Sequence, residues 1–109
     1  RALAADPPGG GAGEVGRVLI ADPDDYRADR VSGFVRRLGY TPERVTTGKQ
    51  LLGRVARAAD FDLILVDRHI AFPELRDVVA QLGANTNVSG RPVLVVASND
   101  KPVPVPAEL

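Results

Sequence analysis

The sequence predicts an α/β domain built as a three-layer sandwich, with a central parallel sheet and helices on both faces. Three observations lead there. Short runs rich in β-branched and aliphatic residues, RVLIA (17–21), FDLILV (61–66) and RPVLVVAS (91–98), alternate with longer segments of helical period. The runs show no 3.6-residue repeat, as expected of strands buried on both faces. Consecutive parallel strands require a crossover, and right-handed crossovers put helices on either side of the sheet.

The elements follow in order. After the first strand, residues 26–39 place Val31, Phe34, Val35 and Leu38 at i, i+3, i+4 and i+7, one helical face turned inward. Asp24 or Asp25 is available as its N-cap, and Gly39 as its stop. Tyr26 is expected to act as a staple at the start of that helix, and Arg27, Arg30, Arg36 and Arg37 to form its solvated outer side. YTPERV (40–45) offers a short, weak strand. TTGKQLLGRVARAAD (46–60) reads as a helix with Leu51, Leu52 and Val55 inward. A third helix over 72–83 has Pro73 near its first turn, Leu75, Val78, Val79 and Leu82 on one face, and Gly83 as its stop.

The chain of 109 residues is one domain's length. Fourteen basic residues balance fourteen acidic ones, so no global field directs the domain to nucleic acid or to an anionic membrane. Without cysteine there is no disulfide scaffold, thiolate metal site or cysteine nucleophile, and a single histidine does not build a zinc site. No apolar run approaches the ~20 residues that span a bilayer. A signal peptide's apolar core is also missing from the first sixteen residues, and a cytoplasmic protein is expected. Residues 1–16 have a linker's glycine and proline content, which leaves 17–109 as the domain.

In such a sheet a ligand or reactive site lies off the carboxyl ends of the strands, where strand order reverses. Asp22 and Asp24 follow the first strand, Asp67 ends the third, and Ser98, Asn99 and Asp100 end the fourth, so all gather at one edge. Converging carboxylates repel unless a cation or a positive side chain sits among them. For Asp24 and Asp25 capping is the expected role, ahead of a site role. For Asp22 and Asp67 the residues alone leave a turn role and a site role open. His69 is read as a surface or packing residue of the loop.

In order and spacing, these segments resemble the receiver domain of two-component response regulators, with its flavodoxin-like or CheY-like fold. VLIADPDDYRADRVSGFVRRLGY resembles the family's first strand, acidic loop and first helix; FDLILVD resembles the strand carrying the phosphoacceptor; RPVLVVAS and KPVPVPAEL resemble the fourth strand and the Lys-Pro before the last helix. The resemblance implies that Asp67 accepts a phosphoryl group from a histidine kinase. It makes Asp22, Asp67 and the backbone carbonyl of His69 the ligands of Mg2+, Lys101 the partner of the phosphoryl group, and Ser98 the hydroxyl switch. The likeness also has gaps. Pro23 stands where the family keeps its second acid, and only Asn99 and Asp100 separate Ser98 from Lys101, so the fourth helix and fifth strand are missing or shortened.

Two function classes follow. One is a phosphoacceptor in a phosphorelay, a signal-transduction switch that is not itself an enzyme, with a histidine kinase or another signalling protein as partner. The other is a pseudo-receiver, a protein-interaction module with neither magnesium nor phosphotransfer. A flavodoxin-like nucleotide binder ranks behind both, because GGGAG precedes the first strand instead of following it.

Overall fold

The computed structural model describes residues 15–96. Strands β1 (Gly16–Ala21), β2 (Tyr40–Val45), β3 (Leu63–Asp67) and β4 (Val93–Val96) alternate with helices α1 (Asp25–Arg37), α2 (Gly48–Arg57) and α3 (Leu75–Gly83). All strands are parallel, in the order β2-β1-β3-β4. The chain steps from β1 to β2 on one side and then crosses to β3 on the other, so order reverses between β1 and β3. Asp22 and Asp67 stand at the carboxyl ends of those two neighbours, where the expected crevice opens.

Alternation along each strand divides the core. Leu19, Ala21, Ile64 and Val66 face α2 and α3 and pack with Leu51, Val55, Phe61, Val78, Leu82 and Val88. Val18, Ile20, Leu63 and Leu65 face α1 and meet Val31, Val35 and Tyr40. Full burial of each large aliphatic side chain contributes about 2 kcal/mol. β2 is an edge strand, half-buried along its length, which is where a strand tolerates Pro42.

The helix ends follow from local chemistry. Asp24 caps α1, its carboxylate accepting from the Arg27 N–H at 2.7 Å. Gly39, at φ 94°, supplies the left-handed residue that turns the chain out of that helix. Thr47 caps α2 by accepting from Gln50 N–H, while Gln50 Oε1 reaches back to the N–H and hydroxyl of Thr46. The first two N–H groups of α2 donate to the carbonyls of Ala71 (2.8 Å) and Phe72 (2.7 Å), so the loop after β3 caps this helix as well. Phe72 takes up φ 58° to present that carbonyl, and its ring is left exposed.

Several expectations need correction. Phe34 is 55% exposed and Tyr26 73%, so neither packs inward; each instead lies under an arginine, Arg37 and Arg30 respectively. Among the described residues one helix covers the α1 face of the sheet, and its inward stripe narrows to buried Ala28 and Val35 and half-buried Val31. Gly83 lies inside α3, which Ala84 caps in right-handed geometry. Ser98 and Lys101, with residues 1–14 of the expected linker, lie outside the described residues. β1 begins at Gly16, one residue before the expected boundary.

Arg54, on α2, is buried and was missed by the hydrophobic pattern. Its guanidinium donates to Glu43 on β2 at 2.7 Å and to Asp60 at 2.6 Å, tying α2 to the sheet edge and to the next loop. The bond from Glu43 is the largest influence holding Arg54 above its usual pKa, and the bond from Arg54 holds the Asp60 carboxyl below its usual value. Arg54→Met keeps the stem's packing and removes the charge; it is expected to lower stability by about 1–3 kcal/mol in urea titration, because half-buried Glu43 then keeps only its 3.3 Å contact with Arg17. A second pair of variants tests the α2 cap. A Cβ on Gly48 would stand 2.5 Å from the Pro73 carbonyl oxygen and 2.7 Å from Val78 Cγ2, whereas one on Gly53 meets nothing within 4 Å. Gly48→Ala should cost about 1–3 kcal/mol, and Gly53→Ala should stabilise by about 0.5–1 kcal/mol.

Candidate functional site

Asp22 and Asp67 are the two carboxylates buried at the carboxyl edge, 3% and 2% exposed. The register pairs Ala21 with Val66, so the next residue of each strand brings the two acids side by side. Two buried like charges on neighbouring strands destabilise one another unless a cation intervenes.

That cation is Arg27. From the first turn of α1 its Nε donates to Asp22 Oδ2 at 2.8 Å and its Nη2 to Asp22 Oδ1 at 2.9 Å, a two-pronged carboxylate contact. The same Nη2 donates to Asp67 Oδ2 at 3.1 Å, and Nε lies 3.1 Å from Asp67 Oδ1. The Asp22 hydrogen bond, followed by the fields of Asp67, Asp22 and Asp24, raises the Arg27 pKa above its usual value against the opposing effect of burial. Its charge is fixed at every physiological pH. Arg27 was expected on the solvated side of α1; the structure turns it back over the strand ends.

The remaining partners hold this arrangement in place. Asp22 Oδ1 also accepts from the Asp24 N–H at 2.9 Å, which fixes the turn at Pro23, while the Asp24 carboxylate is committed to capping α1. Arg44, on β2, donates through Nε and Nη2 to the Asp22 carbonyl and through Nη1 to Asp25 at 2.7 Å. Asp67 Oδ2 accepts from the His69 N–H at 2.8 Å and lies 3.0 Å from His69 Nδ1. His69 thus meets Asp67 through its amide and its half-exposed ring. Asp67 Oδ1 makes no hydrogen bond, because the single N–H of Arg27 Nε is given to Asp22.

A hard dication such as Mg2+ takes six oxygen ligands in a near-ideal octahedron. Here the space between Asp22 and Asp67 holds a guanidinium, Pro23 offers no side-chain oxygen, and Asp24 is engaged at the helix cap. Among the described residues no group of three or more acidic, histidine or cysteine side chains is placed to hold a metal. The residues as arranged do not fit the ion, and it would bind only with Arg27 displaced.

The solved structures that this chain resembles share its fold. Chemotaxis response regulator CheY4 of Vibrio cholerae superposes with a TM-score of 0.71 at 22% identity, over 80% of this chain and 72% of that one. The N-terminal domain of a response regulator/sensory box/GGDEF three-domain protein from Carboxydothermus hydrogenoformans matches at 0.65 and 27% identity, over 83% and 70%. A signal receiver domain of a two-component histidine kinase from Clostridium thermocellum matches at 0.64 and 23%, over 81% and 72%. Against another matched chain, a fusion carrying the yeast Spc42 trimeric coiled coil, the chain spans 56% of the length. No protein-family model matches, and no curated protein matches. The chain has the fold of a receiver domain, a CheY-like α/β sandwich with four parallel strands and three helices among the described residues. None of those helices is long and apolar enough to cross a membrane.

Removing Arg27 leaves two buried carboxylates without their cation. Arg27→Ala is expected to lose about 3 kcal/mol of stability by urea titration. Adding Asp22→Asn to it should recover part of that loss, since the double variant buries one charge fewer; a strictly additive result would mean the guanidinium and Asp22 are not coupled.

Proposed function

We propose that this chain is a receiver-fold signalling module that acts through protein contacts, with Arg27 in the place where a metal ion would neutralise Asp22 and Asp67. The observation that carries this reading is the guanidinium bridging both carboxylates. Phosphoryl transfer to a carboxylate requires cations that neutralise charge on the moving group and an oxygen open to attack. In this arrangement the cation beside Asp67 is shared with Asp22, and the one oxygen without a hydrogen bond, Oδ1, is buried. The Asp67 side chain is 1% exposed and one oxygen is held by Arg27 and by the amide of His69.

The names of the solved neighbours, a chemotaxis response regulator and receiver domains of signalling proteins, support a signalling protein as partner. The outer side of α1 supplies contact chemistry for it. Tyr26 and Phe34 are exposed, and Arg30 and Arg37 lie 5.7 and 5.9 Å from their ring centres. Aromatic residues and arginine carry most of the binding energy in protein interfaces.

The test is a magnesium titration of thermal stability and beryllium fluoride binding on the native chain, Asp67→Asn, Arg27→Ala and Arg27→Gln. The native chain is expected to show no magnesium-dependent shift and no beryllium fluoride binding. The two Arg27 variants should gain magnesium-dependent stabilisation, because the freed carboxylates then bind the ion. Magnesium-dependent labelling of the native chain by a phosphoryl donor, lost in Asp67→Asn, would overturn the proposal and make Asp67 a phosphoacceptor.

A further inference from the structure

The outer side of α1 is not the uniform polar surface that a solvated helix presents. Ala28, Val31 and Val35 turn toward the sheet. At about 100° per residue, Tyr26, Arg30, Gly33 and Arg37 fall within an arc of about 60° directly opposite them. Phe34 flanks this stripe on one side, Asp29 and Arg36 on the other. Tyr26 and Phe34 are 73% and 55% exposed, each with an arginine over its ring. Gly33 leaves a gap in the middle, where among the described residues an added Cβ would meet nothing closer than Arg37 Nη1 at 3.9 Å. Glycine weakens a helix interior relative to alanine, and no packing among these residues requires it here.

Charge is also segregated along the helix. Asp25 and Asp29 lie in its first half, and Arg36 and Arg37 in its last turn. The helix dipole favours that polarity, but it does not call for two aromatic rings in water. Asp29 and Arg36 stand about two turns apart on one flank. Both are exposed, and neither side chain forms an ion pair among the described residues. An acidic partner laid along this face would meet the two aspartates, and a basic one the arginines. A second α1 running in the opposite direction is complementary to both ends.

Resting on the reading that the domain works through protein contacts, we propose that α1 is a self-association surface on which two copies of the chain pack antiparallel, about a two-fold axis passing beside Ser32. In an isologous contact each flank meets its own counterpart, and positions equally far from the axis in opposite directions come together. Asp29 then faces Arg36 of the second copy, and Arg36 faces its Asp29, which gives two ion pairs on one flank. On the other flank Phe34 meets Arg30 of the second copy. Tyr26 lies beside Arg37 at each end. The stem of Arg30 crosses the gap at Gly33, which lets the helix axes approach to about 8 Å. The contact is about 20 Å long and one helix wide, less than the ~800 Å² per partner of a standard interface, and belongs to the weak, reversible class.

Sedimentation equilibrium of the full chain tests this pairing, because its charges can be exchanged across the axis. The native chain is expected to dimerise with a dissociation constant on the order of 100 μM. Asp29→Arg alone and Arg36→Asp alone each set like charges together at both contacts, and each should weaken association by about tenfold or more. An equimolar mixture of the two variants restores both ion pairs in a heterodimer and should associate as the native chain does, which also shows that both variants fold. A native chain that stays monomeric up to about 1 mM would overturn the proposal and leave the face to a different protein. So would dimers that the single variants leave unchanged, or a mixture that associates no more tightly than its components. None of these outcomes depends on the magnesium response of Asp22 and Asp67, so the two proposals fail separately.

Discussion

The guanidinium of Arg27 between Asp22 and Asp67 is the interaction on which the carboxyl edge of this sheet depends. Parallel packing of β1 against β3 brings two aspartates into contact with each other and out of contact with water, and neither can move away without leaving its strand. A buried carboxylate pair persists when something positive lies between its members. Arg27 supplies this with a planar fork that spans both acids, and its backbone N–H is held by the Asp24 cap. Arg44 adds a second grip on the same turn from β2, through the Asp22 carbonyl. Helix α1 is thus fastened to the sheet at its N-terminus by charge and along its length by Ala28, Val31 and Val35.

A metal ion and a guanidinium solve the same electrostatic problem with different consequences. An ion can be lost, exchanged or shared with an incoming anion, whereas an arginine is part of the chain and keeps its charge. It also commits Nε and Nη2 to the two carboxylates, halving their charge and filling the space between them. The unbonded Oδ1 of Asp67 is the single polar atom of the pair not satisfied within this arrangement.

The positions of Asp22 and Asp67 were legible in the sequence because they rest on strand ends, and RVLIA and FDLILV mark those ends by abrupt loss of apolar character. Arg27 was not legible by the same reasoning. A helical wheel places it on the polar side of α1, but side chains in a helix lean toward its N-terminus, and a long one in the first turn reaches past the helix to whatever lies before it. The available clue was chemical, the need for a positive group among converging acids. Phe34 misled for the opposite reason. Its spacing fits the inward stripe, yet α1, with no helix packed beside it among the described residues, buries a narrower stripe than a helix held between neighbours. Arg54 shows that a charge on the inner side of an amphipathic helix is compatible with burial when acids on adjoining elements receive it.

The loop after β3 serves two structures at once. Within six residues it carries Asp67, the His69 amide that grips it, and the Ala71 and Phe72 carbonyls that close the first turn of α2 on the opposite face of the sheet. With Gly48 pressed against Pro73, that loop has no slack on the α2 side. The loop that holds Asp67 on one face of the sheet is thus also the N-terminal cap of α2 on the other, and a change in its backbone would reach both.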